Sequence, residues 1–146
     1  MIQKFNIRVY FLLIENGCVL VADEIIKGNS YTKFPGGGLE FGEGTIDCVI
    51  REAQEELGQE VEVISHFYTT DFFLKSAFDP LQQVVSVYYS VSLIGEQKFI
   101  TTSKRFDFSQ TTDDEESFRW VKLEMMKEEE FSFAADKVVV NMLLKG

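Results

Sequence analysis

The sequence predicts an α/β domain layered around a mixed sheet, and three observations carry that class. Two apolar, β-rich runs at residues 7–14 and 19–22 stand side by side near the start of the chain. An amphipathic segment at 45–57 then separates them from two further β-rich runs, 61–70 and 84–94. A short strand pattern at 118–123 is followed by a helical one at 136–144. Strands with helices interleaved, rather than segregated into blocks, mark the α/β class.

Each element has a local reason. Glu15-Asn16-Gly17 joins the first two runs, and Asn-Gly is a strong hairpin signal because both turn positions tolerate positive φ. A polar stretch runs from 27 to 33. Phe34-Pro35-Gly36-Gly37-Gly38 follows; three glycines after a proline predict irregular backbone that another group can approach closely. Ile46, Val49, Ile50, Ala53 and Leu57 recur at i, i+3, i+4, i+7 and i+11, a single apolar helix face. Thr45 is the expected N-cap with Asp47 in the first turn, and Gly58 is placed to end the helix.

Length and charge narrow the function. A chain of 146 residues has room for one domain, placed at residues 1–146, with no repeat or linker to divide it. A net charge of −10 and a pI near 4.6 exclude a general basic surface, and with it bulk nucleic acid as a partner. A phosphorylated small molecule is compatible if a divalent cation screens the acidic groups. Cys18 and Cys48 make no disulfide framework and suit a reducing compartment. The single histidine, His66, excludes a site built from several imidazoles. No apolar run approaches the roughly 18 residues that span a bilayer. Asn6 and Arg8 interrupt the N-terminal apolar stretch, so it reads as a strand and not a signal peptide. A cytoplasmic domain without a membrane partner is the simplest expectation.

The polar side of the 45–57 helix holds Arg51, Glu52, Glu55 and Glu56. Glu52 stands i+3 from Glu55 and i+4 from Glu56, so three carboxylates project together within about a turn. Like charges so placed repel by roughly 0.2–0.5 kcal/mol per pair. A hard divalent cation with oxygen ligands offsets that cost, and Mg²⁺ or Mn²⁺ suits such donors better than zinc. On spacing alone a solvated acidic face is the commoner explanation. The adjoining glycines, and Glu43 eight residues before Arg51, lift the functional reading.

Gly37, Glu43, Arg51-Glu52, Glu55-Glu56 and Gly58 stand at spacings that resemble the Nudix box, which here runs from residue 37 to 59. Two positions depart from its pattern: Ala53 where a bulky aliphatic residue is usual, and Gln59 where another is. Both are packing positions. The order of hairpin, box, two long strands, Trp120 and a short helix near 124–130 extends the resemblance over most of the chain.

The resemblance implies a Nudix fold, an α/β/α sandwich, and a hydrolase of nucleoside diphosphate derivatives. It matches Glu52, Glu55 and Glu56 to the metal-binding glutamates and adds the Gly36 carbonyl to the metal shell. Arg51 and Glu43 match a pair that orients the carboxylates, and Gly36, Gly37 and Gly38 belong to the diphosphate site. Mg²⁺, with Mn²⁺ as a substitute, would bridge acidic pocket and diphosphate, polarise phosphoryl oxygens and acidify the attacking water. Glu52, Glu55 or an acid from Asp113-Asp114-Glu115-Glu116 is the general base. Lys33 and Arg105 are candidate phosphate contacts, with solvated surface as the default for both. Phe34, Phe72, Phe73 and Tyr88 are core by default, with a base-stacking ring as the alternative. Nudix relatives are often homodimers, but no interface is legible here. The substrate is expected to be a nucleoside triphosphate, ADP-ribose or a nucleotide sugar. The rival reading is a non-catalytic Nudix module that senses a nucleotide; such a module would be free to lose box glutamates, and this chain has them all. A calcium-binding reading fails for lack of an EF-hand loop.

Overall fold

The computed structural model describes all 146 residues. Its elements, in chain order, are β1 (Lys4–Glu15), β2 (Cys18–Ile26), β3 (Asn29–Lys33), β4 (Gly36–Gly38), α1 (Thr45–Leu57), β5 (Val61–Thr69), β6 (Gln82–Leu93), β7 (Glu116–Lys122) and α2 (Ala134–Lys145). The mixed α/β class and the interleaved order agree with the sequence patterns. The chain falls into two compact units, Met1–Leu12 with Gly36–Lys98, and Leu13–Pro35 with Phe99–Gly146.

In the first unit the strand order is β1-β6-β5, and β4 pairs antiparallel with β1. Its register sets Arg8 opposite Gly38, Val9 opposite Gly37 and Tyr10 opposite Gly36. β5 and β6 are antiparallel from Val61/Leu93 to Thr69/Val87, with irregularities on the way. α1 packs against β4, β5 and β6. Val9, Phe11, Val49, Ala53, Val61, Tyr88 and Val91 are buried in this unit.

In the second unit β2 is central, paired antiparallel with β3 through residues 22–26 and with β7 through residues 18–24. The β1–β2 turn has Asn16 at φ 52° and Gly17 at φ 75°, the two-residue hairpin geometry that the sequence predicts. Asp23 of β2 is fully buried and accepts from the Thr32 hydroxyl at 2.8 Å, the Phe106 N–H at 3.1 Å and the Arg119 guanidinium at 2.8 and 3.3 Å. Phe34 stacks on Phe131 at 4.9 Å, and α2 buries Ala135, Val139 and Val140.

Four local expectations change, and a stretch without an assignment from sequence proves to be a strand. Residues 29–33 form a strand, because Lys27 and Gly28 make a second positive-φ turn that returns the polar run along β2. The three glycines are also a strand, because β1 supplies a pairing edge. Gly44, not Thr45, caps α1: its N–H donates to the Asp47 carboxylate at 3.0 Å, and the Thr45 hydroxyl instead bonds Tyr89 at 2.6 Å. The buried stripe of α1 is Cys48, Val49, Ala53 and Leu57, which leaves Ile46 and Ile50 exposed at its margin. Residues 124–130 hold two 3₁₀ turns, Leu123–Met125 and Glu128–Glu130, instead of one helix.

Candidate active site

The box assembles within the first unit, between β4 and α1. The Leu39 N–H donates to the Ile7 carbonyl at 2.9 Å, which makes that pair a hydrogen-bonded one. Antiparallel alternation then turns the Gly36 and Gly38 polar groups away from β1, to the outer edge of β4. That edge faces the helix: the Gly38 carbonyl accepts from Arg51 Nη2 at 3.0 Å and from the Cys48 thiol at 3.6 Å.

The two faces of β4 differ. A Cβ at Gly37 would stand 2.6 Å from Glu52 Cδ and 2.7 Å from its Oε2, so the missing side chain is the space that this carboxylate occupies. Gly36 has φ 151°, and a Cβ there would stand 2.6 Å from Tyr10 Cα. One glycine is required by the site, the other by the sheet.

Arg51 organises the acids. It donates to Glu43 through Nε (3.0 Å) and Nη2 (2.7 Å), a bidentate fork. Its Nη1 donates to Glu52 at 2.8 Å and Glu55 at 3.2 Å, and lies 3.4 Å from Glu40. The fork holds the Glu43 carboxyl down at about 2, and the same contacts push Arg51 above its ordinary value. Burial, with the Glu43 carboxylate beside it, pushes the Cys48 thiol up to about 12, which keeps it protonated as a donor to the Gly38 carbonyl.

The donor set suits a hard cation, since every candidate ligand is an oxygen and Glu52 rests in a cradle that a Cβ would fill. The acids are not gathered into a three-member ligand cluster. Glu52 and Glu55 are drawn to Arg51, while Glu56, half-buried, lies one turn beyond Glu52.

The remaining sequence candidates divide. Glu43, Glu52, Glu55 and the Gly38 carbonyl meet around Arg51, with Gly37 against Glu52 and Gly36 next along the same strand. Lys33 lies in the second unit as a buried residue, its ammonium 3.2 Å from Glu24, and not on solvated surface. Arg105 bonds Thr32 at 2.9 Å and the Glu130 carbonyl at 2.6 Å, over the Phe106 ring. In the acidic run, Asp113 accepts the Gly28 N–H of the β2–β3 turn at 2.8 Å, and Glu115 accepts the Ser109 hydroxyl of its own loop at 2.7 Å. Phe34 and Tyr88 are core, whereas Phe72 and Phe73 are exposed. His66 is an exposed side chain on Thr69 and Tyr89.

Residues 4–142 match the family model of the NUDIX domain, and the chain belongs to the Nudix family. Its fold is that of solved members. It is similar to the ORF135 protein of E. coli, at TM-score 0.73 and 17% identity over 99% of this chain and 93% of that one. A MutT NUDIX hydrolase from Burkholderia pseudomallei matches at 0.71 and 18%, over 95% and 98% of the two chains. An ADP-ribose pyrophosphatase from Streptococcus suis matches at 0.64 and 17%, over 96% and 90%. No helix is long and apolar enough to cross a membrane.

Proposed function

We propose that this chain is a single Nudix domain, residues 1–146, that hydrolyses a diphosphate linkage in a nucleotide derivative with Mg²⁺ or Mn²⁺. The observation that carries the reading is the Arg51 fork on Glu43, with Glu52 set against a glycine that leaves it room. Such an arrangement positions carboxylates for a task; a solvated acidic face would leave them apart.

Glu52, Glu55, Glu56 and the Gly36 carbonyl would hold the metal, which when bound supplies Lewis acidity and an acidified water. Arg51 and Glu43 are positioning residues that fix the loop and the helix face. Glu52 and Glu55 are favoured over the 113–116 run as general base, since Asp113 is engaged by the β2–β3 turn and Glu115 by Ser109. Nucleoside triphosphates, ADP-ribose and nucleotide sugars are the substrate classes. Two of the similar structures carry the names MutT and ADP-ribose pyrophosphatase, so their names do not separate these classes.

A panel of these compounds with Mg²⁺, read as phosphate, pyrophosphate or monophosphate release, tests the reading. Release from at least one is expected. Inertness across the panel, with nucleotide binding intact, would support a sensor module instead.

A further inference from the structure

Thr45 is the first residue of α1 but not its cap, a position that Gly44 fills. Its hydroxyl leaves the helix and meets the Tyr89 hydroxyl of β6 at 2.6 Å. The phenol is braced from the next strand. His66, the register partner of Tyr89 in β5, sets its ring edge-on to the phenol, with centroids 5.7 Å apart and planes at 83°. His66 Nε2 in turn shares a 2.8 Å hydrogen bond with the Thr69 hydroxyl. Thr45, Glu52 and Glu56 lie along one line of the helix, because seven and eleven residues make two and three turns to within about 20°. The strand that holds Thr45 therefore holds the stripe on which both carboxylates stand.

Apolar packing leaves that stripe some play. The buried side of α1 is Cys48, Val49, Ala53 and Leu57, and Ala53 has nothing beyond Cβ to key the helix into the sheet. Non-directional burial resists a small rotation weakly, whereas a short hydrogen bond is lost by it. Arg51 ties the helix to Gly38 and Glu43, which are themselves parts of the site. The Thr45 hydroxyl ties it to β6, outside them. A carboxylate stands roughly 6 Å from the helix axis, so turning α1 by about 10° moves it by about 1 Å. Displacements of that size are felt in catalysis. We propose that Tyr89 is a positioning residue whose hydroxyl fixes the rotation of α1 against β6, and with it the place of Glu52 and Glu56 at the metal. The proposal rests on the hydrolase reading and extends the site to a strand that carries none of its acids.

The test is calorimetric titration of Mn²⁺ into the unmodified protein and its variants, without substrate. Tyr89→Phe keeps the ring and removes the bond, and should weaken Mn²⁺ binding about tenfold, the low end for groups that orient metal ligands. Thr45→Val removes the same bond from the helix side and should do the same. Thr45→Ser retains a hydroxyl and should bind nearly as the unmodified protein does. The double variant Tyr89→Phe/Thr45→Val should be no weaker than either single one, because both delete one interaction. Tyr68→Phe takes a hydroxyl from the adjoining Tyr68–Tyr88 pair of the same strands, where it donates to Asp71, and should leave metal affinity alone. On a hydrolysed substrate, the Tyr89→Phe rate should recover at excess Mn²⁺, with KM for the substrate unchanged. Unaltered Mn²⁺ affinity in Tyr89→Phe overturns the proposal, as do additive losses in the double variant or an equal loss in Tyr68→Phe. In each of those cases the unmodified protein still binds Mn²⁺, and the hydrolase reading stands. Mn²⁺ failing to bind the unmodified protein overturns both.

Discussion

Replacing Gly37 by alanine separates the site from the sheet more cleanly than deleting a charge. Gly37 is not at positive φ, so alanine suits its backbone. The three atoms nearest the new Cβ all belong to the Glu52 carboxylate, the mobile end of a side chain, with Cδ at 2.6 Å. Glu52 must swing away, and the Arg51–Glu52 pair loosens. A pair this near the surface contributes about 1 kcal/mol or less. For a chain of this size that lowers Tm by no more than about 3 °C. The carboxylate, however, moves by more than an ångström from its place beside the glycine strand, a displacement that costs about 100-fold in turnover. Gly36→Ala is the control with the opposite signature. Its φ of 151° and its approach to the β1 backbone combine adverse conformation and overpacking, together roughly 2–5 kcal/mol. Tm should fall by about 5–15 °C. Melting curves and initial rates for both variants decide the matter. Gly37→Ala with undiminished activity, or melting as early as Gly36→Ala, would refute the assignment of separate duties to these neighbours.

Three further outcomes are expected. Glu56→Gln keeps shape and loses charge, so turnover should fall by orders of magnitude with the fold intact, while Glu129→Gln in the exposed Glu128–Glu130 turn should match the unmodified enzyme. Because Arg51 depresses the Glu43 carboxyl from 4.5 to about 2, the stability it contributes is complete above pH 4.5 and lost as pH falls towards 2. Acid melts of Glu43→Gln should accordingly show a shallower loss across that window, and an identical slope would count against the fork. Arg51→Lys keeps the charge but not the bidentate contact, so a Mn²⁺ titration of initial rates should show weakened apparent metal affinity and partial recovery at excess metal. Unchanged metal affinity with collapsed turnover would mean that Arg51 touches substrate.

What the sequence made legible follows from how local each signal is. Asn16-Gly17 declares its hairpin because the positive φ of both residues is a property of the dipeptide. The box declares itself because its acids must share one helix face, and helix spacing is read directly from residue numbers. The strand at 29–33 was hidden, since five residues of mixed polarity carry no periodicity and are ordered only by β2 beside them. The glycine strand was hidden for the same reason in a stronger form: its residues have no β preference, and pairing with β1 alone makes them extended. Gln59 looked like a flaw at a packing position. It is fully buried, donating to the Ile94 carbonyl at 3.2 Å and accepting the Lys98 N–H at 2.9 Å, so its amide ties down the chain just past β6.

Asp23 has a consequence for how the second unit reaches one arrangement among several. It lies directly opposite Thr32 in β3 and Ser117 in β7, with Arg119 on the diagonal, and it bonds Thr32 and Arg119. Strands rich in valine and leucine tolerate sliding by two residues, because the same face stays apolar. Here such a slide would strand a buried carboxylate away from its guanidinium, at a penalty of roughly 3–5 kcal/mol. An intact pair of this kind adds little net stability; its effect is to make mispaired versions of the sheet expensive. The Phe106 N–H, bonded to the same carboxylate, brings the 99–115 connection under that selection. Asp23 thus acts as an error check on assembly, legible in the finished fold only as a charge with no water around it.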